Sequence, residues 1–294
     1  MPQKDANKSR EIARKKRGVI RAKSDFFRTA RYGLTLQEHR IIYYAILKSQ
    51  QEGAPFEPVT LAIRDFVDLC ELKGQSYYSK IRALTKKVTG RVVEVIYKDA
   101  TGEHLLQAAW LSSITYNTRE GTVTIKPNKE LQPFFDGKPF TETEYYFLIR
   151  FTSQYAERLY EVVKSLDHKL IIDFDVDDLR KRLAVPPTQY PNFKDLRRRV
   201  LEPAIRDINE YTDIDITMRE KRGQYNRVNV VYFAISKKKV PKLADRVEHG
   251  EFTPPLSEAD SQHLLLALLG DDAPEHEQEP QIPGQLTLDG GVVE

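Results

Sequence analysis

The chain contains an internal repeat, and this repeat constrains the fold more than any other feature of the sequence. Three segments with apolar periodicity recur at an offset of 113 to 116 residues. The matched pairs are RIIYYAILKS (Arg40 to Ser49) with RLYEVVKS (Arg158 to Ser165), IRDFVDLCEL (from Ile63) with VDDLRKRLAV (from Val176), and YSKIRALTKKV (from Tyr78) with FKDLRRRVLEP (from Phe193). The sequence therefore predicts one arrangement of helices formed twice.

Strand patterns complete each unit. A β-prone run, PVTLAI or KLIIDF, precedes the second helix, and period-two segments around a Gly-containing turn follow the third helix. This order predicts an α+β fold of two tandem winged-helix domains, a variant of the helix-turn-helix. The segment FDGKPFTET, with Gly137 and Pro139, marks the boundary, so we expect domains at residues 26–137 and 140–238.

The charge is distributed unevenly along the chain. Residues 240–294 hold twelve acidic and two basic side chains, whereas residues 1–239 carry a net charge of +13. A basic region such as residues 1–239 favours a polyanionic partner. We expect residues 1–25 to form a flexible basic arm. We expect residues 240–294 to form an acidic, Pro-containing disordered tail with one short helix around SEADSQHLLLALLG.

Catalytic and metal-binding motifs are missing from the sequence. The six histidines are scattered, no H-E-x-x-H occurs, and Cys70 has no second cysteine to pair with. A nicking enzyme would need clustered histidines beside a tyrosine nucleophile, and no G-x-x-x-x-G-K-[ST] loop is present. We therefore predict a protein that is not an enzyme and that uses no metal or cofactor.

The third helix of the second unit is the candidate DNA-reading element. Its apolar stripe runs from Phe193 through Leu196 and Val200, with arginines on the opposite side. Such a face is typical of a solvated helix, but the third helix of a winged unit enters the major groove with its N-terminal turns. Arginine bonds guanine bidentately, whereas Lys194 suits phosphate. Which of the three arginines reads bases stays open, because Arg197 falls inside the apolar stripe.

The candidate DNA-binding residues lie on the two third helices and on the second wing. The third helix of the first unit should mainly contact phosphates and sugars, with Ser76 as an alternative helix cap. The wing REKRGQYNR is either an ordinary charged turn or a phosphate clamp. The full set is Lys194, Arg197, Arg198, Arg199, Arg206, Arg219, Lys221, Arg222, Arg227, Ser76, Lys80, Arg82, Lys86 and Lys87.

The motifs resemble those of the iteron-binding plasmid replication initiators, the Rep proteins, over about residues 30 to 238. The resemblance rests on LTLQEHRIIYYAIL, WLSSITY, SQYAERLYEVVKS, VVYFAIS and above all DFDVDDLRKRLAVPPTQYPNFKDLRRRVLEPAIRDINEYTDIDI. It implies a monomer that binds directly repeated iterons at the plasmid origin, opens the origin and recruits host initiator, replicative helicase and chaperones. It also implies a homodimer, formed through the N-terminal domain, that represses its own promoter and so affects plasmid copy number.

Three further expectations complete the sequence-based prediction. The tail motif QLTLDG contains Gln285, Leu286 and Leu288 of a sliding-clamp-binding peptide, although chance is an alternative because the final aromatic residue is missing. No signal peptide or long apolar run occurs, so we expect a cytoplasmic, plasmid-associated bacterial protein without membrane contact. The competing function is a transcriptional repressor of the same fold that has no role at an origin.

Overall fold

A computed structural model describes residues 18–69, 77–117, 119–136, 138–223 and 227–238. The first unit opens with a short strand and helix, after which come its three main helices, two hairpins and a short helix. These elements are β1 (Val19–Lys23), α1 (Ser24–Thr29), α2 (Leu36–Gln51), β2 (Val59–Ala62), α3 (Ile63–Leu69), α4 (Tyr77–Thr89), β3 (Val92–Asp99), β4 (Gly102–Ala109), β5 (Leu111–Asn117), β6 (Thr122–Pro127) and α5 (Gln132–Phe135).

The second unit repeats this order after a connecting strand and helix. Its third helix is interrupted by a π-helical turn at Arg197–Leu201. The elements are β7 (Phe140–Glu144), α6 (Tyr145–Leu148), α7 (Gln154–Lys164), β8 (Ile171–Asp175), α8 (Val176–Arg182), α9 (Phe193–Leu196), α10 (Glu202–Tyr211), β9 (Ile214–Arg222) and β10 (Val228–Lys237).

The two units have the same sheet topology, as the repeat predicts. One antiparallel sheet has the strand order β2-β6-β5 and the other has the order β8-β10-β9. The repeat extends to single hydrogen bonds, because the buried Ser49 Oγ donates to Ile46 O and the buried Ser165 Oγ donates to Val162 O at the end of the equivalent helices. The fold consists of two tandem winged-helix units with α+β content.

Two features differ from the sequence-based expectation. The flexible arm was expected to reach residue 25, but Val19–Lys23 forms β1 and pairs with β7. Alternation explains this, since Ile20 and Ala22 point inward and are fully buried. The first unit also contains a second hairpin, β3–β4, between its third helix and the β5–β6 wing.

Helices α2 and α7, the first main helices of the two units, share a buried polar cluster. His39 of α2 lies between two glutamates of α7: its Nδ1 is 2.5 Å from Glu157 Oε2 and its Nε2 is 3.1 Å from Glu161 Oε1. Tyr43 of α2 donates its hydroxyl to Glu161. All four side chains are at most 3% exposed, so solvent does not screen these charges.

Arg158 closes the cluster from α7. Its Nη1 donates to Glu161 Oε2 at 3.0 Å, and its Nη2 donates to the carbonyl oxygens of Phe27 and Ala30 at 2.9 and 2.7 Å. The guanidinium also lies over the Tyr32 ring, 4.4 Å from its centroid. A buried charge is tolerated only where such partners surround it, so the cluster fixes how the second unit sits on the first.

The cluster holds His39 protonated. Burial alone would lower the pKa of His39, but Glu157 and Glu161 outweigh burial and raise it from 6.5 to about 10. Burial likewise opposes ionisation of Glu161, yet His39 and Arg158 lower the pKa of Glu161 to about 2. Burial raises the pKa of Glu157.

Replacing His39 by Gln tests the cluster. At pH 6 the variant should lose about 3–5 kcal/mol of unfolding free energy, because two buried carboxylates lose their cationic partner. The raised pKa of the native histidine stabilises the fold fully below pH 6.5, and this contribution is lost as the pH rises towards about 10. Urea unfolding from pH 6 to 10 should show this decline in unfolding free energy in the natural chain and in the control His104→Gln, where the histidine is part-exposed. The decline should be missing in His39→Gln. An unchanged decline in His39→Gln would contradict the assignment.

Candidate nucleic-acid interface

The third helix of the second unit, Phe193–Tyr211, forms a composite helix made of α9, the π turn and α10. Asn192 caps it, with its Oδ1 accepting a hydrogen bond from the Asp195 backbone N–H at 2.8 Å. The buried face contains Leu196, Val200 and Ala204, all at most 1% exposed. The opposite face of the first turns is therefore directed to solvent.

The π turn lies directly before Pro203. Proline has no N–H to donate to the carbonyl four residues earlier, and its ring clashes with that carbonyl. The backbone widens instead, and the N–H of Glu202 bonds the carbonyl of Arg197, five residues back. The proline thus accompanies a local widening of the helix at the three arginines.

Arg197 is held by two glutamates. Its Nε donates to Glu202 Oε1 at 2.7 Å, and its Nη1 donates to Glu220 Oε1 on β9 at 2.6 Å. Hydrogen bonding to Glu202 and the charge of Glu220 raise the pKa of Arg197 above its ordinary value. Arg197 therefore links the composite helix to the wing. The sequence did not reveal Glu202 and Glu220 as partners of Arg197. Residues five apart, such as Arg197 and Glu202, do not face each other on a regular α-helix, and Glu220 is brought close only by the packing of β9 against the composite helix.

The two following arginines are less restrained. Arg198 is exposed and lies 3.4 Å from Asp195, an (i, i+3) pair that contributes little at a surface. Arg199 is exposed and forms no ion pair with any residue that the structure describes. Of the three arginines, Arg198 and Arg199 are thus the better placed to contact a ligand.

Further cations lie on the composite helix and on the wing. We define the basic face as the exposed Lys and Arg side chains of the composite helix, of β9, of β10 and of the turn between these strands that have no ion-pair partner within the described ranges. Its members are Lys194, Arg199, Arg206, Arg219, Lys221 and Arg227. Arg222 is also exposed on β9 beside this face. The predicted wing residues therefore lie on the same unit as the predicted helix residues.

A groove separates the start of the composite helix from the wing. It has a volume of about 890 Å³ and is lined on one side by Lys194 and Arg197 and on the other by Arg222 and Arg227. Asp175 and Asp177, at the start of α8, line its end. The structure thus brings the two predicted cationic segments to opposite sides of one open groove.

The first unit presents a smaller cationic surface. Arg82, Lys86 and Lys87 are exposed on α4 and have no ion-pair partner in the part of the chain that the structure describes. The buried face of α4 includes Ile81 and Val88. Ser76 lies outside the described residues, as does the side chain of Lys80.

Other predicted features can be placed only in part. Within the described ranges, no group of three or more His, Cys, Asp or Glu side chains is arranged to hold a metal ion. In the same ranges, no helix combines the length and hydrophobicity needed to span a bilayer. Gln285, Leu286 and Leu288 of the clamp motif lie outside the described residues, and this motif stays a prediction.

The topology defines a protein of two tandem winged-helix domains. Two family profiles match the chain: "Initiator Replication protein, WH1" over residues 19–164 and "Initiator Rep protein, WH2" over residues 175–235. Together they cover most of the chain, which belongs to this family of replication initiators and has both of its winged-helix domains. The predicted family is confirmed.

Two relatives agree with this assignment. A curated replication initiation protein of Escherichia coli is 23% identical over 205 residues, which make up 66% of this chain and 63% of the relative. The crystal structure of Pi initiator protein in complex with iteron DNA is similar at a TM-score of 0.55 and 17% identity, covering 76% of this chain and 99% of the other. This second likeness concerns the fold.

A double-mutant cycle tests the link made by Arg197. The changes Arg197→Met and Glu220→Gln should show a coupling in unfolding free energy of about 0.2–1 kcal/mol, because the ion pair is partly exposed. Chemical denaturation measures it. The matched cycle of Arg199→Met with Glu220→Gln should show no coupling. Equal coupling in the two cycles would contradict the assignment of Arg197, rather than Arg199, as the partner of Glu220.

Proposed function

We propose that this protein is a non-catalytic, sequence-specific initiator of plasmid replication. Its monomer binds directly repeated iterons at the plasmid origin, promotes origin opening and recruits the host initiator, replicative helicase and chaperones. The observation that carries the DNA-binding part is the exposure of Arg198 and Arg199 on the N-terminal turns of a third winged helix, whose start faces a cationic wing across one groove.

The side chains have different roles in this proposal. Arg198 and Arg199 contact base edges in the major groove, and Lys194 contacts phosphate. Lys221 and Arg227 hold the backbone from the wing, while Arg197 fixes the wing against the helix. The related Pi initiator was crystallised with iteron DNA, and a shared fold supports the same ligand class for this chain.

The first unit extends the contact along the duplex. Arg82, Lys86 and Lys87 grip phosphates and sugars of the neighbouring groove. Two units on successive major grooves cover about 20 base pairs, at about 10.5 base pairs per turn. One monomer then occupies one non-palindromic repeat.

The competing function is a repressor of the same fold. Direct repeats of about 20 base pairs beside an AT-rich segment near the gene support an initiator, whereas a lone inverted repeat at the promoter supports a repressor. Sequencing the flanking DNA distinguishes the two.

Alanine variants separate base contacts from phosphate contacts. Arg198→Ala and Arg199→Ala should each cost about 1–3 kcal/mol on the repeat and relax its sequence preference. Lys221→Ala should weaken repeat and scrambled duplexes alike and reduce the salt slope by about one. Fluorescence anisotropy titrations over a range of KCl concentrations measure both effects, with Lys129→Ala in the first unit, where Lys129 pairs with Glu57, as the control. Full affinity of both arginine variants for the repeat would overturn the orientation of the helix.

The homodimer is proposed to form through the β3–β4 hairpin of the first unit. Ile96 and Leu105 are cross-strand partners, and they are 43% and 60% exposed. Val92, on the same face as Ile96, is 51% exposed. An exposed aliphatic face on a two-stranded hairpin is typical of a surface that packs against another chain. The dimer would repress the protein's own promoter.

Introducing a charge on the hairpin tests the dimer. Leu105→Glu should shift the protein towards monomer by at least about tenfold in the dimer dissociation constant, since a carboxylate would be buried in the apolar interface. Sedimentation equilibrium measures the shift. The control is Leu170→Glu in the second unit, where the leucine is 80% exposed. An equal effect of both variants, or no effect of Leu105→Glu, would exclude the hairpin.

A further inference from the structure

The basic face has a charge-complementary segment in its own chain. Residues 240–294 carry a net charge of −10, and the run from Asp271 to Glu279 contains five acidic side chains in nine residues. Carboxylates on a polypeptide offer the same kind of ligand to Lys and Arg as DNA phosphates do. The segment therefore resembles DNA in the chemistry that the basic face recognises.

The cations of the basic face need a counter-charge. Its six members belong to the composite helix and the wing and form no ion pair with any side chain that the structure describes. Arg197, by comparison, is already satisfied by Glu202 and Glu220. A carboxylate gains Coulomb energy beside a cation that has no counter-charge, so an acidic segment gains free energy by lying on these helix and wing residues.

The attachment point allows the segment to reach this face. Lys238 is anchored beside the end of α10, where its Nζ lies 3.1 Å from Asp215 Oδ1 and donates to the Asn209 carbonyl. From there to Lys194 is roughly the length of the composite helix, about 28 Å at 1.5 Å per residue. Ten extended residues span about 33 Å, and Asp271 follows Lys238 by 33 residues.

We propose that residues 240–294 occupy the basic face of the second unit through their carboxylates when DNA is absent and compete with DNA for it. The inference rests on the proposed DNA-binding function. Tethering gives the segment a high effective concentration, so a weak contact is sufficient. Because the segment must leave before any duplex binds, it lowers the affinities for repeat and scrambled DNA by the same factor.

Neutralising the acidic run in the full chain tests the competition. The variant carries Asp271→Asn, Asp272→Asn, Glu275→Gln, Glu277→Gln and Glu279→Gln. It should bind a scrambled duplex of about 30 base pairs more tightly than the natural chain, by a factor on the order of ten in about 50 mM KCl. The gain should shrink in about 200 mM KCl, because salt screens the contact between segment and face. Fluorescence anisotropy gives both affinities.

A matched variant separates a local contact from the general effect of net charge. It neutralises five exposed glutamates of the first unit and thus changes the net charge equally; they are Glu52, Glu57, Glu103, Glu120 and Glu130. If both variants gain affinity equally, the competition is overturned while DNA binding stands. If the natural chain and both variants fail to bind duplex DNA, the proposed function itself is overturned.

Zero-length coupling locates the contact. A carbodiimide joins a lysine amine to a neighbouring carboxylate as an amide and takes up the water that is lost. Mass spectrometry should find amides between Lys194 or Lys221 and the run from Asp271 to Glu279, and added duplex should abolish them. Mixing chains of two isotopic compositions shows whether the amides lie within one chain. Amides found only between chains, or unaffected by duplex, would overturn the proposal.

Discussion

Four charged side chains buried between α2 and α7 hold the two winged-helix units together. His39 lies against Glu157 and Glu161, and Arg158 satisfies Glu161 from its other side. Each charge is stable only beside its partner, so sliding one helix along the other by a turn would leave buried charges unpaired. The relative position of the two third helices, α4 and the composite helix, depends on this cluster.

The sequence predicted the repeated architecture but not the contact that joins the units. Period-two and helical patterns in each half were sufficient to predict two units of the same element order, because each pattern lies within one unit. The structure adds that their sheets share one strand order. His39 and Glu161, in contrast, stand 122 positions apart and look like ordinary polar residues of two amphipathic helices. Only the packing of α2 on α7 shows that they are buried partners.

The sequence predicted the third helix of the second unit as an element, but the contacts of Arg197 within it have a local cause that the sequence did not show. A regular helix places Arg197 in the apolar stripe, whereas the π turn before Pro203 brings Arg197 beside Glu202. Because the stripe was drawn with 3.6 residues per turn, the sequence left the role of each arginine open. The widened turn supports a division of roles in which Arg197 positions the wing and its two neighbours face the ligand.

The charge of the acidic segment also affects how strongly the DNA affinity of the protein depends on salt concentration. In the proposed competition, a duplex that binds the basic face releases the cations condensed on its phosphates, which gives the usual steep salt dependence. When the duplex first displaces residues 240–294, the freed carboxylates take up cations again. Part of the release is thereby cancelled, so the natural chain has a shallower dependence of log affinity on log salt than its number of phosphate contacts implies. The intramolecular competitor thus lowers both the affinity for DNA and its sensitivity to ionic strength.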